Sequence, residues 1–359
     1  MARANFRHSA IKGVCTVVPA GRVCLDDECM YYTDDAKIVK LKKTVGLNTR
    51  AVADRNTTPA DMMEVAARKL ISGMSIDKGT IDALICVLDL PDYKCPPTAC
   101  VLHGKLGLPE TCMAFDVTHG CAGYIYGLYL AHSMIDSGAS NRVLLLVGDA
   151  KSHTIDIRDR IAAPVFGDGA AATLLERTYQ ENIASFVLGA KGELFENIMI
   201  PAGGARMPST EKTRAPQTDD FGNTRSLDNF TMNGRAVFDF TMNTVPLNIQ
   251  ETLSFANAKP DDLDYFILHQ ANKSIILNIA LRIGMRNLEK VPVETLSKYG
   301  NLAVASIPSV INDQLSSVLQ TGSHKLLLSG FGVGLAYGTA VINVNNLYTP
   351  PVSIYEEEK

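Results

Sequence analysis

The 359-residue chain has no tryptophan, no cysteine beyond residue 121, and a net charge of only −4 with charged residues at 20%. So weak a charge gives no argument for a nucleic-acid partner or for a strongly charged membrane surface. No run approaches 18 uninterrupted apolar residues, and the leading Met-Ala-Arg-Ala-Asn-Phe-Arg-His has no apolar signal core. Both features argue against membrane spanning and secretion and predict a cytoplasmic protein. The eight cysteines, at 15, 24, 29, 86, 95, 100, 112 and 121, show no metal-ligand spacing, so no metal site is expected and the thiols are read as reduced. Chemistry on a small molecule remains, with no nucleic-acid and no membrane partner, in a chain long enough for two domains or one large duplicated one.

Short β-branched or Leu-rich runs alternate with longer amphipathic stretches, which predicts an α/β fold with buried strands. Strands are expected at Ala83–Leu88, Met113–Val117, Val143–Val147, Ala171–Leu175, Tyr265–Leu268, Lys325–Leu328 and Thr339–Val344. Helices are expected at Met62–Ser72, Pro97–Leu106, Ala122–Ile135, Ile275–Ile283 and Ala303–Leu319, where apolar residues recur with a period near 3.6.

Two stretches follow one plan. In the first, a strand near Met113 leads to Gly120-Cys121, a helix, the strand Arg142–Gly148, the Gly-rich turn Phe166-Gly-Asp-Gly169 and another strand. In the second, Val291-Pro-Val-Glu leads to Gly300-Asn301, a helix, the strand Lys325–Gly330, the Gly-rich turn Phe331-Gly-Val-Gly334 and another strand. Carried backwards, the register sets Asp82 against Asp264 and places His269 at the end of the strand equivalent to the one ending near Leu88. A tandem duplication follows, with halves at about 1–178 and 179–359 related by a pseudo-twofold axis. The matched turns then bring Cys121, His269 and Asn301 to one cleft. Lys191 to Asn229, rich in Gly, Pro, Thr, Asp and Arg, is expected to be a lid over it.

Cys121 stands where an apolar strand breaks at Gly120 and a helix begins. Unpaired N–H groups and the positive end of the dipole favour a thiolate there, so a lowered thiol pKa and a nucleophilic role are expected. Each residue also has a plain structural use: a small cysteine fills a tight turn, a histidine ends a strand in a core, and an asparagine after glycine caps a helix. His119 and Asp168 are read as structural, and His153 gains nothing from the repeat.

The motifs Gly120-Cys-Ala-Gly-Tyr124, Phe166-Gly-Asp-Gly-Ala170, His269-Gln-Ala-Asn272, Tyr299-Gly-Asn301 and Phe331-Gly-Val-Gly-Leu-Ala-Tyr-Gly338 resemble those of the β-ketoacyl-[acyl carrier protein] synthase III family of the thiolase superfamily, over about residues 40 to 345. The resemblance implies a duplicated, five-layered αβαβα thiolase-like fold and a Cys121-His269-Asn301 triad. It also implies an oxyanion hole from the backbone N–H groups of Cys121 and Val333, no cofactor beyond coenzyme A thioesters as substrates, and a homodimer. Arg160, Arg235 and Asn272 would contact coenzyme A or substrate, and Cys95 would line the acyl pocket, its small size admitting a primer larger than acetyl. Partners would be acyl-CoA and malonyl-ACP or malonyl-CoA, with an acyl carrier protein as a possible one. Asp239 and Ser274 stand where basic residues often dock that carrier, and no indole is present to share an adenine stack with Arg160.

A decarboxylative Claisen condensation needs a thiolate to accept an acyl group, a hole for the tetrahedral oxyanion, and neutral donors for the enolate left when carbon dioxide departs. The residues supply those parts and predict a cysteine-loaded acyltransferase that condenses its acyl group with a malonyl thioester. The alternatives are acyl transfer to an oxygen or nitrogen nucleophile without decarboxylation and, against the intact triad, a non-catalytic ketosynthase partner subunit. Hydroxymethylglutaryl-CoA synthesis finds no glutamate between residues 80 and 90, where Asp89 is the nearest acid.

Overall fold

The computed structural model describes residues 2–31 and 35–356. Cys29 lies outside the described side chains, and the other seven cysteines are free. The strands are β1 (Ala2–Phe6), β2 (Ser9–Pro19), β3 (Ala83–Leu88), β4 (Met113–Thr118), β5 (Arg142–Asp149), β6 (Gly169–Arg177), β7 (Ala184–Ala190), β8 (Tyr265–Leu268), β9 (Ser323–Gly332), β10 (Ala336–Asn345) and β11 (Ser353–Tyr355). They form two main sheets, ordered β11-β2-β6-β5-β3-β4 and β1-β7-β10-β9-β8.

Each half repeats one ladder. Strands β3 and β5 pair in parallel and β5, β6 and β2 in antiparallel; β8 and β9 pair in parallel and β9, β10 and β7 in antiparallel. The register is pinned the same way at both places. Asp82 accepts from the N–H groups of Asn141 and Arg142 at 2.6 and 3.0 Å, and Asp264 accepts from the N–H of Lys325 at 2.8 Å. The halves differ at their edges: Val291-Pro-Val-Glu, opposite β4 in the repeat, is not a strand, and Pro292 has no N–H to offer a ladder. The chain ends are exchanged, since β1 pairs with β7 in the second sheet and β11 with β2 in the first.

Three apolar cores show the layering. Helices α1 (Pro59–Gly73) and α2 (Thr98–Leu106) cover the outer face of the first sheet. Helices α3 (Gly123–Asp136) and α6 (Ser306–Gln314) fill the space between the sheets. Helices α4 (Gly234–Phe255) and α5 (Lys273–Arg282) cover the second. The result is the five-layered αβαβα architecture. Sheets covered on both faces need strands apolar on both faces, and all six residues of Ala-Leu-Ile-Cys-Val-Leu in β3 are buried. Each large apolar side chain so buried contributes about 1.5–3 kcal/mol. Helix α1 starts where Thr58 and Asp61 form a capping box ahead of Pro59, a device worth about 1 kcal/mol.

The helix expected over Ala303–Leu319 is broken into a 3-10 turn at Ala303–Ala305, α6, and a short turn at Ser316–Leu319. Ala303 itself has φ +47°, a left-handed conformation that ends helical propagation backwards from α6. The segment 191–229, expected to be a lid over the cleft, holds a 3-10 turn, a four-residue helix and a small hairpin, and it is tied to residues 154–159 by the Asn229 amide to Thr154 O, by Thr224 N–H to Arg158 O and by Arg225 to Asp159. Among the described residues, no helix is long and apolar enough to cross a membrane.

Candidate active site

Cys121 sits two residues ahead of α3, on a turn closed by the Gly123 N–H bonding to Gly120 O at 2.6 Å. The β9–β10 hairpin comes down on it. A Cβ on Gly332 would stand 2.8 Å from Cys121 Cβ and 3.0 Å from its Sγ, and Gly332 has φ +152°, so only glycine fits both the space and the backbone. The next N–H, of Val333, donates to the Cys121 sulfur. Cys121's own N–H takes no partner among the described residues. Both backbone donors assigned to an oxyanion hole therefore lie at the thiol.

His269 follows β8 and is fixed by its N–H to Ser329 O at 2.8 Å. Its ring stands edge-on to Phe331 at 5.4 Å and is hydrogen-bonded to the backbone of Ala303. Nδ1 is buried and has no partner, a state that folded proteins keep where a ligand or water completes it. Asn301 is joined by backbone bridging to Phe166. Its Oδ1 accepts from the Ala303 N–H at 2.9 Å and from Ser306 Oγ at 3.3 Å, which leaves the amide NH₂ as the free donor. Ala303 thus links histidine and asparagine, and Phe331 to Val333 link histidine and cysteine. The three residues from two halves converge through these contacts.

Electrostatics correct one expectation. Burial pushes the Cys121 thiol up to about 12, against the pull of Lys151 and the Val333 N–H, so the resting cysteine is a thiol and not the thiolate expected from the helix start. Burial also pushes His269 down to about 3, so its imidazole is neutral across the physiological range.

The remaining predicted residues are scattered. Arg160 is half-buried and lines an apolar cavity of about 460 Å³ with Leu41, Val45, Ile161 and Phe221. Arg235 is exposed near the start of α4. Asn272 caps α5, its Oδ1 accepting from the N–H groups of Ser274 and Ile275 at 2.8 and 3.3 Å. Cys95 is exposed. Of the cations near the expected carrier surface, Lys273 is paired with Glu294 at 2.9 Å and Arg282 donates to Met242 O. Asp168 accepts from the N–H groups of Ala53 and Ser152. A second cavity, about 570 Å³, is lined by Arg50, Arg55, Ser152, His153 and Asn229, and by Phe166, the residue bridged to Asn301. Among the described residues, no cluster of three His, Cys, Asp or Glu side chains could hold a metal. Sequence reasoning missed Lys151 and Asp149 altogether; a lysine just past a buried strand carries no periodic signal.

The sequence pattern described as 3-oxoacyl-[acyl-carrier-protein (ACP)] synthase III matches residues 115–192, and its C-terminal counterpart matches residues 253–344. A Campylobacter jejuni protein provisionally named 3-oxoacyl-[acyl-carrier-protein] synthase 3 is 38% identical over 99% of this chain and 100% of its own length. The Campylobacter curvus β-ketoacyl-[acyl-carrier-protein] synthase III is 33% identical over 88% of this chain and 91% of its own. The crystal structure of the 3-oxoacyl-(acyl-carrier protein) synthase of Burkholderia xenovorans superposes with a TM-score of 0.92 at 34% identity, covering 99% of both chains. With the duplicated fold and the converging turns, these likenesses establish that the chain belongs to the 3-oxoacyl-[acyl-carrier-protein] synthase III family, acyltransferases of the thiolase superfamily.

Proposed function

We propose that the protein takes an acyl group from an acyl-CoA onto Cys121 and condenses it with a malonyl thioester, as malonyl-ACP or malonyl-CoA, with loss of carbon dioxide. In the first half-reaction the Cys121 sulfur bonds to the thioester carbon, the carbon–sulfur bond to coenzyme A breaks, and the thiol proton ends on the departing sulfur. The oxyanion forms within reach of the Cys121 and Val333 N–H groups. In the second, the malonyl carbon–carboxylate bond breaks to release carbon dioxide, and its electron pair becomes an enolate. The enolate carbon then attacks the acyl carbonyl, and the Cys121 sulfur leaves as the thiolate, which takes one proton from solvent to return to the resting thiol.

One observation carries this reading: the two polar side chains that converge with the thiol are uncharged. Asn301 has its oxygen already engaged and its NH₂ free, and His269 is held neutral by burial. Neutral donors stabilise an enolate without a carboxylate to oppose it. The cavity beside Phe166, with Arg55 in its wall and Arg50 paired there with Glu28, suits a phosphate-bearing pantetheine thioester at Arg55, and the exposed Cys95 suits an acyl pocket that a second copy closes in a homodimer.

Paired half-reaction measurements test the proposal. Asn301→Ala is expected to keep acyl loading, read as an adduct on Cys121 by intact mass. Its release of labelled carbon dioxide from a malonyl thioester should fall about two to three orders of magnitude. Wild-type protein that loads Cys121 and never decarboxylates malonyl thioesters, yet passes its acyl group to an alcohol or amine, would overturn condensation in favour of simple acyl transfer.

A further inference from the structure

Three charged side chains that this chemistry does not use are packed against the Cys121 turn. Lys151 is almost wholly buried; its ammonium pairs with Asp89, reaches Asp149 Oδ2 at 3.4 Å, and lies 5.5 Å from the centre of the Phe230 ring. Asp149 is fully buried, and neither carboxylate oxygen has a hydrogen bond among the described residues, so the ammonium is its compensation. Asp89 Oδ2 lies 2.8 Å from where a Cβ on Gly120 would stand. The glycine before the nucleophile is what admits that carboxylate.

Burying Lys151 and Asp149, with Asp89 partly buried beside them, costs several kcal/mol for each buried ion, and apolar side chains of the same volume would stabilise the fold at least as well. The position of the cluster gives it another use. Lys151 and Cys121 lie near enough that each ionisation is felt by the other, the lysine favouring the thiolate and the two aspartates opposing it. The other titratable groups around it are His119, which feels Asp89 and whose ring lies 4.3 Å from that of Tyr126, and Asp168, which feels neither lysine nor thiol but faces Asp149. The His269 ring stands edge-on to Phe331, 5.4 Å from its centre.

We propose that Lys151 is a positioning residue for the nucleophile: its ammonium, held beside the turn by Asp89 and Asp149, is the charge against which the Cys121 thiolate forms during acyl loading. The proposal rests on Cys121 being the nucleophile. The proton lost from sulfur still ends on the departing thiol, and the lysine stays protonated throughout.

The test is the rate of Cys121 alkylation by iodoacetamide from about pH 6 to about pH 10, located by peptide mass, since a one-unit shift in the thiol's titration is a tenfold change in thiolate. Lys151→Met is expected to move the profile to higher pH by about a unit or more, Asp149→Asn to move it lower, and Lys151→Arg to recover most of the Met variant's shift. A site merely loosened by substitution would admit water, relieve the burial and move both variants lower. Opposite shifts therefore separate electrostatics from structure. Should Lys151→Met fail to fold, Lys151→Gln takes its place beside Asp149→Asn, so that the two directions are still read together. Opposite shifts support the proposal; an unchanged profile in either variant overturns it, as does a lysine variant whose profile falls. Alkylation of another cysteine in place of Cys121 in the wild type would instead sink the nucleophile assignment on which the proposal depends.

Discussion

The two halves share a ladder and part company at the ends of matched strands. In the first half, β5 runs out into Asp149-Ala150-Lys151, buried charges beside the thiol. In the second, β9 runs out into Gly332-Val333-Gly334, with no charge and almost no side chain. The turns that face each other differ in the same sense. Gly120-Cys121 carries an ionisable thiol, whereas Gly300-Asn301 carries a neutral amide with one end already engaged. On the function proposed above, a duplicated scaffold divides the labour: one copy supplies charge and nucleophile, and the other supplies close backbone approach and neutral donors. The twofold relation brings both sets to one point, which neither half could build alone.

The sharpest way to break this comparison is to put a side chain where the second half has none. Gly332→Ala adds a Cβ 2.8 Å from Cys121 Cβ at a backbone with φ +152°, so the hairpin must lift from the thiol and take the Val333 N–H with it. Loss of an oxyanion donor typically costs about two to three orders of magnitude. Acyl loading of Cys121, followed by mass, should fall by that much while thermal unfolding stays cooperative. Loading at the wild-type rate would show that the hairpin's close approach has no part in the chemistry.

Much of this plan was legible before any coordinates. The duplication could be read because buried strands such as Ala83–Leu88 and Lys325–Leu328 are apolar on both faces and are followed by glycine turns at matched spacing. Cys121, His269 and Asn301 could be picked out because each ends a repeated element. Elements with mixed faces escaped. Strand β2, Ser-Ala-Ile-Lys-Gly-Val-Cys-Thr-Val-Val-Pro, is almost wholly buried yet alternates neither in pattern nor in polarity. Helix α4 contains Pro246 and many threonines and asparagines, and tertiary packing outweighs those propensities. The charge cluster escaped for another reason: Asp89 and Lys151 are 62 residues apart, and only the parallel pairing of β3 with β5 makes them neighbours. The lowered thiol pKa failed because a helix start is read locally, while burial depends on a hairpin more than 200 residues downstream.

A second comparison sets His269, which belongs to the site, against His132, which lies between the sheets on α3. Burial pushes His269 down to about 3 and His132 down to about 4. A histidine with a lowered folded pKa binds fewer protons folded than unfolded at any pH between the two values. Its stabilisation is therefore complete above about pH 6.5 and is lost as pH falls toward the folded value. Each group contributes a slope of about 1.4 kcal/mol per pH unit in that window, so about 2 kcal/mol apiece is gone by about pH 5. Urea unfolding at about pH 7 and about pH 5 should show the combined loss. His132→Gln should remove roughly one group's share of it while leaving the acyl-loading rate as it was. An unchanged difference between the two pH values in that variant would mean that His132 titrates while folded.

The smallest effect tests the duplication itself. Asp82 and Asp264 hold the same corner of the two ladders, but Asp82 accepts two N–H groups, at 2.6 and 3.0 Å, and Asp264 accepts one, at 2.8 Å. A hydrogen bond to a charged group contributes about 1.5–3 kcal/mol. These corners are partly exposed, so water takes over some of each bond when the carboxylate is removed. Asp264→Ala should then cost about 1 kcal/mol and Asp82→Ala about 2 kcal/mol in urea unfolding. Acyl loading should be unaffected in both, because each corner lies at the strand end away from the turns. If the two losses are equal, the second bond at Asp82 adds nothing and the halves are pinned alike. If Asp264→Ala costs more, the second sheet, which has no strand opposite β4 to brace its edge, depends on its single bond more heavily than the bond count implies.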